Sequence, residues 1–432
     1  LSSSFINSNI HEVREEINIP IAILLDTKGP EIRTKTLKDD KNVTLVKGET
    51  FILTTEDVVG DETKVSVTYK NLTKEVEVGT HILIDDGLIE LLVNEITETD
   101  LICEVISGGV LGNKKGINIP NTKLNLPAIT SKDREDIIFA INQGVDFIAA
   151  SFVRSADAVN QIRAILKDSS SDIGIISKIE NREGLDNIDE IIEASDGIMV
   201  ARGDLGVEIE PEELPFIQKQ IIKKCNEQFK PVITATQMLD SMIRNPRPTR
   251  AEATDVANSI YDGTDAIMLS GETAMGSYPL EAVKMMVKIA METEQHLDYD
   301  SFLQSRKKTV DNNMSVAVAY SAVSTALSID AELIIASSFT GFTTRIVSKL
   351  RPEAKVIGLS PIKRTLRKMQ LYWGVTPLAT NEVNSTDNLL EEAVKTVKKS
   401  GYVETGDFIV LTAGVPTGLT KLTNMIKVEK IS

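Results

Sequence analysis

Six short apolar segments of this chain each end in polar or charged residues. The polar endings lie at residues 26–28, 151–154, 178–181, 202–204, 234–237 and 270–273. Segments that are apolar throughout are typical of buried parallel strands, and in a β/α barrel the chemistry lies at the C-terminal ends of such strands. The pattern therefore predicts a β/α barrel whose active site collects these six endings.

The sequence around these endings predicts an inserted domain. From residue 137 to about 291, apolar strand-like runs alternate with amphipathic helical stretches, which is typical of βα repetition. Residues 31–124 differ, because Gly- and Asp-rich turns such as Asp85-Asp86-Gly87 separate alternating segments rich in Val, Ile and Thr. These features predict a small antiparallel β-barrel domain inserted after one strand of the larger barrel.

A second α/β region follows the barrel. Strands are predicted at 332–337, 355–359, 374–378 and 407–411, and helices at 314–328, 343–350 and 386–400. This alternation predicts a separate open-sheet domain. We expect four segments: 1–30 begins a TIM-type (β/α)8 barrel, 31–124 is the small β domain, 125–295 completes the barrel, and 296–432 is the C-terminal α/β domain.

Composition limits the classes of partner. A formal net charge of −16 repels polyanions, so nucleic acid and anionic membranes are not expected as partners, and any phosphate ligand needs local Lys, Arg or metal. Cys103 and Cys225 are too few and too far apart for a disulfide framework, which favours a reducing cytoplasm. No apolar run approaches the roughly 18 residues of a membrane span.

The strongest catalytic signal is Lys178 with Glu180. Residues i and i+2 of a strand project from the same face, so the ammonium and the carboxylate converge on one cavity. Asp204 follows in a Gly-containing turn between a strand and a helix and supplies a second hard oxygen ligand. Two carboxylates completed by water and substrate oxygens suit Mg²⁺. The alternative for the Lys178–Glu180 pair alone is a solvated ion pair.

Other strand endings carry weaker signals. Thr236 and Ser270 bring hydroxyls that can bind a carboxylate or relay a proton, although each alone is more typical of a helix N-cap or a turn. The Lys at 28 and Arg33 can meet phosphates in this acidic chain. The Gly-rich segment at 108–116 does not satisfy GxxxxGK[ST], so a P-loop is not expected; it is a hairpin or a loop whose lysines reach a nucleotide phosphate.

Several strings together resemble the pyruvate kinase family from about residue 21 to the C-terminus. They are LLDTKGPEIRT (24–34), SKIEN (177–181), MVARGDLGVE (199–208), ATQML (235–239), NPRPTRAE (245–252) and MLSGETA (268–274). The resemblance implies transfer of the phosphoryl group of phosphoenolpyruvate to ADP, giving pyruvate and ATP in glycolysis. It also implies a cytoplasmic, allosteric homotetramer that requires Mg²⁺ or Mn²⁺ and K⁺.

The resemblance also implies roles for individual residues. Lys178 stabilises the transferring phosphoryl group and the enolate, and Thr236 and Ser270 are the candidates for enolate protonation. The remaining roles are substrate-carboxylate binding by Gly203, Asp204 and Thr236, divalent-metal binding by Glu180 and Asp204, K⁺ binding by Asp26 and Thr27, and ADP binding by Arg33 and Lys115. Glu31 matches the family form that uses K⁺.

A phosphorylated effector is expected at the C-terminal domain, where hydroxyls and a helix N-terminus follow a predicted strand. The candidate residues are Thr340, Gly341, Thr343, Thr344 and Arg345, and an ordinary N-capped helix is the alternative. A later loop carries Lys421 where the family commonly has glycine, so the identity of the effector stays open.

The start of the chain departs from the family pattern. Family members open with two barrel strands and a phosphate-binding Arg segment, whereas the first barrel strand here lies near Ile21. We therefore expect two strands upstream of Leu1, without which residues 1–432 are expected to be poorly soluble or inactive. Two alternatives to an active pyruvate kinase are another β/α barrel enzyme acting on phosphoenolpyruvate or pyruvate, and an inactive effector-binding paralogue that lacks this Arg segment.

Overall fold

The computed structural model describes residues 3–307, 313–418 and 421–432. Three large β-sheets organise these residues, and a two-stranded sheet accompanies the second of them. In the described part of the chain, no helix combines the length and the apolar character that a membrane span requires.

The chain enters the first sheet and then leaves it for a small β domain. Helix α1 (Ser3–Ile17) precedes the first strand, β1 (Leu24–Asp26). The following strands are β2 (Ile32–Arg33), β3 (Val43–Leu45), β4 (Thr50–Thr54), β5 (Lys64–Ser66), β6 (His81–Ile84), β7 (Ile89–Ile96), β8 (Asp100–Ser107), β9 (Gly109–Leu111) and β10 (Gly116–Asn118), with a 3-10 turn at Lys38–Asp40 and the short helix α2 (Leu72–Glu75).

Seven strands of this domain form one sheet in the order β2-β10-β6-β7-β8-β4-β5. A bridge between Thr34 and Val67 joins its two edges, so the sheet closes into a small barrel around buried residues such as Phe51 and Leu91. Closure leaves no long unpaired edge for aggregation. The predicted antiparallel pairing holds for most of the sheet, but β4 and β5 pair in parallel.

The chain then returns to the first sheet. Its strands are β11 (Phe147–Ala150), β12 (Gly174–Ile179), β13 (Gly197–Ala201), β14 (Val232–Ala235) and β15 (Ala266–Ile267). With β1 they form a parallel sheet in chain order, as in a β/α barrel. Alternate residues of these strands point to opposite faces of the sheet. Ile148 belongs to the core beneath the helices, whereas its neighbours Phe147 and Ala149 lie in a separate apolar cluster with Ile176 and Met199.

Helices connect and cover these strands. Helix α3 begins with a capping box, in which Thr130 and Asp133 each bond the other's backbone N–H, and α9 begins with the same arrangement of Thr249 and Glu252. The helices are α3 (Ser131–Gln143), α4 (Ala156–Asp168), α5 (Arg182–Asp186), α6 (Ile188–Ala194), α7 (Arg202–Glu208), α8 (Leu214–Glu227), α9 (Arg250–Tyr261), α10 (Gly271–Ala274), α11 (Pro279–Glu294) and α12 (Tyr299–Ser305), with a 3-10 turn at Asp240–Ile243.

The C-terminal region is an open five-stranded sheet in the order β18-β17-β16-β19-β20. Its elements are α13 (Met314–Ser328), β16 (Leu333–Ser337), α14 (Phe342–Lys349), β17 (Lys355–Ser360), α15 (Lys363–Met369), β18 (Val375–Ala379), α16 (Thr386–Ser400), β19 (Phe408–Ala413) and β20 (Met425–Lys430). The four predicted strands are present. Sequence analysis missed β20, an antiparallel edge strand, and α15, whose first turn is basic rather than apolar.

The C-terminal region attaches to the barrel through α15 and the turn after it. Arg367 Nε lies 2.7 Å from Asp146 Oδ1, and the other oxygen of Asp146 accepts the backbone N–H of Ile23 at 2.9 Å. Leu371 packs against the apolar cluster of Phe147 and Ile176. Asp146 precedes β11, so this contact lies at the N-terminal end of the barrel strands.

A buried ionic cluster forms a second contact. Lys349 and Arg351, each 2% exposed, both pair with Asp265, which is 1% exposed and precedes β15. Lys349 Nζ also donates to Asn226 Oδ1 at 2.8 Å, and Arg351 donates to the Thr264 carbonyl at 2.9 Å. Burial lowers the pKa of Lys349 to about 8 against the opposing effect of Asp265. The carboxylate of Asp265 supplies the negative charge that stabilises both buried cations.

We predict that Asp265→Asn destabilises the protein by about 3 kcal/mol or more, because it leaves two buried cations without a countercharge. Urea unfolding followed by circular dichroism measures the effect as a lower transition midpoint. Asp189→Asn is the matched control, since Asp189 is 71% exposed and pairs with the surface residue Lys224. Equal midpoints for both variants would contradict the assigned role of Asp265.

Candidate active site

Lys178 and Glu180 lie at and just beyond the C-terminal end of β12. Lys178 Nζ is 3.0 Å from Glu180 Oε1, 3.3 Å from Asp26 Oδ1 and 2.9 Å from the Ser151 hydroxyl oxygen. Burial by itself lowers the pKa of Lys178, but Glu180 and Asp26 outweigh it and the pKa is raised. The ammonium is thus held charged between the ends of three neighbouring strands, β1, β11 and β12.

Glu180 is 1% exposed and is anchored from a second strand ending. The backbone N–H of Phe152 donates to Glu180 Oε2 at 2.5 Å, and Phe152 adopts a positive φ of 53°. Burial, with a smaller contribution from Asp204, raises the pKa of Glu180 to about 7 against the opposing effect of Lys178. A buried carboxylate that resists ionisation in this way is a group that a nearby cation would stabilise.

Asp204 faces Glu180 from the first turn of α7. Burial raises the pKa of Asp204, and Lys178 opposes this rise. Two neighbouring carboxylates, both with a pKa raised by burial, form a donor set that fits a hard divalent cation. Among the described residues no group of three or more His, Cys, Asp or Glu side chains is arranged to hold a metal.

The Thr236 hydroxyl lies next to the same turn. It accepts the backbone N–H of Gly203 at 2.6 Å and donates to the Ala235 carbonyl at 2.6 Å. Arg202, which sequence analysis did not select, holds this region by donating to the Thr236 carbonyl at 2.8 Å and pairing with Asp255 at 2.7 Å. In the sequence, the only indication that Arg202 belongs to the site is its position next to Gly203 in the predicted metal-binding turn.

Ser270 lies beyond β15, the last of the six strands. Its backbone N–H donates to Glu272 Oε2 at 2.8 Å, and Glu272 Oε1 accepts the N–H of Leu239 at 3.0 Å. Glu272, which is 2% exposed, thereby ties the loop of Ser270 to the loop that follows Thr236. Sequence analysis assigned no role to Glu272.

Asp26 and Thr27 meet Ser151 across the ends of β1 and β11. The Ser151 hydroxyl donates to the Thr27 carbonyl at 2.8 Å and lies 3.2 Å from Asp26 Oδ1, while the Thr27 hydroxyl accepts the Ser151 N–H at 3.2 Å. Carboxylate, carbonyl and hydroxyl oxygens are therefore grouped beside Lys178. Oxygen donors of this kind fit a monovalent cation.

Glu31 does not carry an unbalanced negative charge. Its Oε1 lies 2.6 Å from Arg33 Nε and 3.1 Å from Lys28 Nζ. Burial raises the pKa of Glu31, but these two cations outweigh burial and the net pKa is lowered. The negative charge of Glu31 is therefore balanced by two cations of the same segment.

Arg33 and Lys115, the predicted nucleotide contacts, line one cleft of about 580 Å³ between the small barrel and the β/α barrel. Arg33 donates to the Lys114 carbonyl at 2.8 Å, and Lys115 pairs with Asp85 at 2.9 Å. Asp204 also lines this cleft, which therefore extends to the carboxylate pair. Arg154, from the predicted strand ending at 151–154, also lies in the cleft wall, together with Lys123 and Arg182, which sequence analysis did not select.

The structure separates the predicted effector residues. The hydroxyls of Thr343 and Thr344 are buried; the first lies 2.8 Å from the Thr423 hydroxyl, and the second donates to the Ala336 carbonyl at 3.1 Å. Gly341, with a φ of 80°, precedes α14. Thr343 and Lys421 border a narrow cleft, whereas Thr340 and Arg345 border a different one.

Comparison with known proteins adds independent findings. Residues 3–283 match the family model described as pyruvate kinase, barrel domain, and residues 316–429 match pyruvate kinase, alpha/beta domain. The pyruvate kinase of Clostridium acetobutylicum is 51% identical over 424 residues, which cover 98% of this chain and 89% of that protein. The pyruvate kinase of Staphylococcus epidermidis is also 51% identical over 424 residues, covering 98% of this chain and 72% of that protein.

A solved structure agrees with these sequence matches. The crystal structure of a pyruvate kinase from Cryptosporidium parvum superposes with a TM-score of 0.92 at 40% identity, covering 98% of this chain and 87% of that one. The predicted barrel and C-terminal α/β fold and the resemblance are thus confirmed, and the matches favour a phosphotransferase over the alternative readings. By both sequence and structure, the chain belongs to the pyruvate kinase family.

Proposed function

We propose that this chain transfers the phosphoryl group of phosphoenolpyruvate to ADP with Lys178 at the centre of the site. The observation that carries the assignment is the buried contact of Lys178 with Glu180 and Asp26, which keeps an ammonium charged where three strands end. Charge on the transferring phosphoryl oxygens would then develop beside a fixed cation. Preorganised electrostatic stabilisation of this kind is a major source of rate enhancement.

Glu180 and Asp204 are the proposed ligands of Mg²⁺ or Mn²⁺. When bound, the divalent cation supplies Lewis-acid neutralisation of substrate oxygens. The protein contributes a carboxylate fixed by the Phe152 N–H and another on the first turn of α7. Because burial raises the pKa of both carboxylates, a bound cation would stabilise their ionised forms.

The Gly203 and Asp204 backbone amides and the Thr236 hydroxyl are proposed to hold the substrate carboxylate. Gly203 N–H points at the Thr236 oxygen at 2.6 Å, so the substrate would share or replace this contact. Thr236 and Ser270 are the candidates for delivering a proton to the enolate, directly or through water. The Glu272 bridge supports this pairing because it links the two loops that carry them.

Nucleotide, K⁺ and effector assignments complete the proposal. Arg33 and Lys115 would contact ADP phosphates from the cleft, and Asp26 with Thr27 would bind K⁺. A phosphorylated effector is proposed at the C-terminal region. A cytoplasmic homotetramer is also proposed, by family membership. The effector residues of the proposal are Thr340, Gly341, Thr343, Thr344 and Arg345.

Lys178→Met should lower turnover by at least about 10²-fold while leaving Mg²⁺ binding largely intact, because the ammonium acts on charge that develops during transfer. A coupled assay with phosphoenolpyruvate and ADP measures turnover, and calorimetry measures Mg²⁺ binding. Lys132→Met, at an exposed helix position, is the matched control. Turnover close to wild type in Lys178→Met would remove Lys178 from the mechanism.

Glu180→Gln should raise the Mg²⁺ concentration needed for half-maximal activity by about 10-fold or more, because the neutral amide is a poorer ligand. The measurement is turnover against Mg²⁺ at saturating substrates. Glu135→Gln serves as control, since Glu135 is 73% exposed on α3. An unchanged Mg²⁺ requirement in Glu180→Gln would rule out Glu180 as a ligand.

Replacing K⁺ by tetramethylammonium at constant ionic strength should abolish most activity, and Asp26→Asn should raise the K⁺ requirement. The reason is that Asp26 offers a carboxylate oxygen beside the Thr27 carbonyl, and a bulky organic cation cannot enter between them. Asp189→Asn is again the control. Full activity in tetramethylammonium would contradict the K⁺ assignment.

A further inference from the structure

The turn after β14 adopts a backbone conformation that its residues do not favour. Thr236 and Gln237 follow each other with φ angles of 67° and 52°. This left-handed region is uncommon for residues other than glycine, and a β-branched residue such as threonine is an outlier there. Such a conformation persists where the surrounding contacts impose it, and it is frequent at functional sites. The contacts that impose it therefore identify residues on which the site depends.

Two neighbouring segments hold this turn. From one side, Arg202 donates to the carbonyl of Thr236 at 2.8 Å, and the Gly203 N–H donates to the Thr236 hydroxyl oxygen at 2.6 Å. From the other side, Glu272 Oε1 accepts the N–H of Leu239 at 3.0 Å, at the residue that precedes the second 3-10 turn. Arg202 thus ties the turn to α7, whereas Glu272 ties it to the loop after β15.

The other oxygen of Glu272 holds the Ser270 loop. Glu272 Oε2 accepts the Ser270 N–H at 2.8 Å, at the residue that precedes the short helix α10. The Ser270 side chain forms no capping hydrogen bond to that helix. Because Glu272 satisfies the backbone at this point, the Ser270 hydroxyl is left for substrate or water.

Glu272 performs this role from a buried, largely apolar position. It is 2% exposed, and Met238, Leu239 and Met242 on the facing segment are all 0% exposed. A carboxylate in such surroundings is costly unless its oxygens are hydrogen-bonded. Both oxygens of Glu272 accept a backbone N–H, so the carboxylate is satisfied while the two loops keep their present separation. The side chain is therefore a fixed spacer between the two loops.

We propose that Glu272 is a positioning residue that sets the distance between the hydroxyls of Thr236 and Ser270 and thereby controls protonation of the enolate. This inference rests on the proposed function. In that reaction the P–O bond of phosphoenolpyruvate breaks, an ADP oxygen takes the phosphoryl group, and the remaining enolate takes one proton at its methylene carbon. The hydroxyl and water network that gives this proton recovers it from bulk water.

The proton step should be more sensitive to Glu272 than the phosphoryl step. Transfer of a proton depends steeply on the placement of the donor relative to the acceptor. The phosphoryl group is instead expected beside Lys178, which Glu180, Asp26 and Ser151 hold on other strand endings. A change at Glu272 therefore moves the hydroxyls without removing the cation that faces the phosphoryl group.

Glu272→Gln tests this proposal because it keeps the size of the side chain but turns an NH₂ group toward one of the two backbone N–H groups. Glu252→Gln is the matched control. Glu252 also bridges two backbone N–H groups, those of Ser241 and Thr249, each at 2.7 Å, and neither residue has a proposed role in the reaction. A loss of stability common to both variants is thereby separated from an effect on the site.

In a coupled assay with phosphoenolpyruvate and ADP, Glu272→Gln should lower kcat about tenfold or more and change the KM of phosphoenolpyruvate by less than about threefold. The solvent deuterium isotope effect on kcat should rise, because protonation of the enolate limits the rate more strongly. Glu252→Gln should keep the wild-type isotope effect. A wild-type isotope effect in Glu272→Gln would overturn the proposal, because a purely structural loss lowers the amount of active protein without changing the isotope effect.

Amide hydrogen exchange provides a measurement that needs no turnover. Segments 232–239 and 266–273 should both exchange at least about tenfold faster in Glu272→Gln, since loss of either hydrogen bond breaks the bridge between them. In Glu252→Gln the faster exchange should be confined to residues 241–252. Unchanged exchange in both segments of Glu272→Gln would overturn the proposal. Absence of turnover in the wild-type chain would instead contradict the proposed function, and exchange would then decide the Glu272 bridge by itself.

Glu272→Asp covers the case in which Glu272→Gln does not fold. Aspartate keeps the carboxylate but is one methylene shorter, so it cannot reach both N–H groups at their present separation. The isotope effect and the exchange rates should change in the same direction as in Glu272→Gln. Wild-type values of both in Glu272→Asp would overturn the proposal.

Discussion

The contact between Lys178 and Glu180 at the end of β12 is the interaction on which the site depends. Two residues apart on one strand, the side chains leave the same face, and the barrel buries both against the endings of β1 and β11. Burial opposes each charge, so neither group is stable there without the other. Asp26 adds a second carboxylate beside Lys178, and the Phe152 N–H donates to Glu180.

The strands of the β/α barrel connect the candidate active site at one end with the contact to the C-terminal region at the other. Their C-terminal ends carry loops that Arg202 and Glu272 tie together, so the proposed catalytic groups are held by contacts between loops. Their N-terminal ends dock onto the C-terminal region through Asp146 and Asp265.

Much of the fold could be predicted because its elements have strong local signals. The barrel strands are apolar on both faces, and β16 to β19 lie close to their predicted positions. Helix α15 and strand β20 were missed for a physical reason: α15 is stabilised by Arg367 reaching Asp146, and β20 by pairing with β19. Closure of the small barrel through Thr34 and Val67 likewise depends on residues distant in sequence.

The sequence by itself determined which residues could do chemistry, since Lys178, Glu180, Asp204 and Thr236 follow recognisable strands in recognisable strings. Only the tertiary structure decided how the charged and polar side chains are paired: the carboxylate of Glu31 lies between Arg33 and Lys28, and the hydroxyls of Thr343 and Thr344 are buried. The physical reason is that burial and charge pairing arise between segments far apart in the chain, whereas strand pattern and residue type are local.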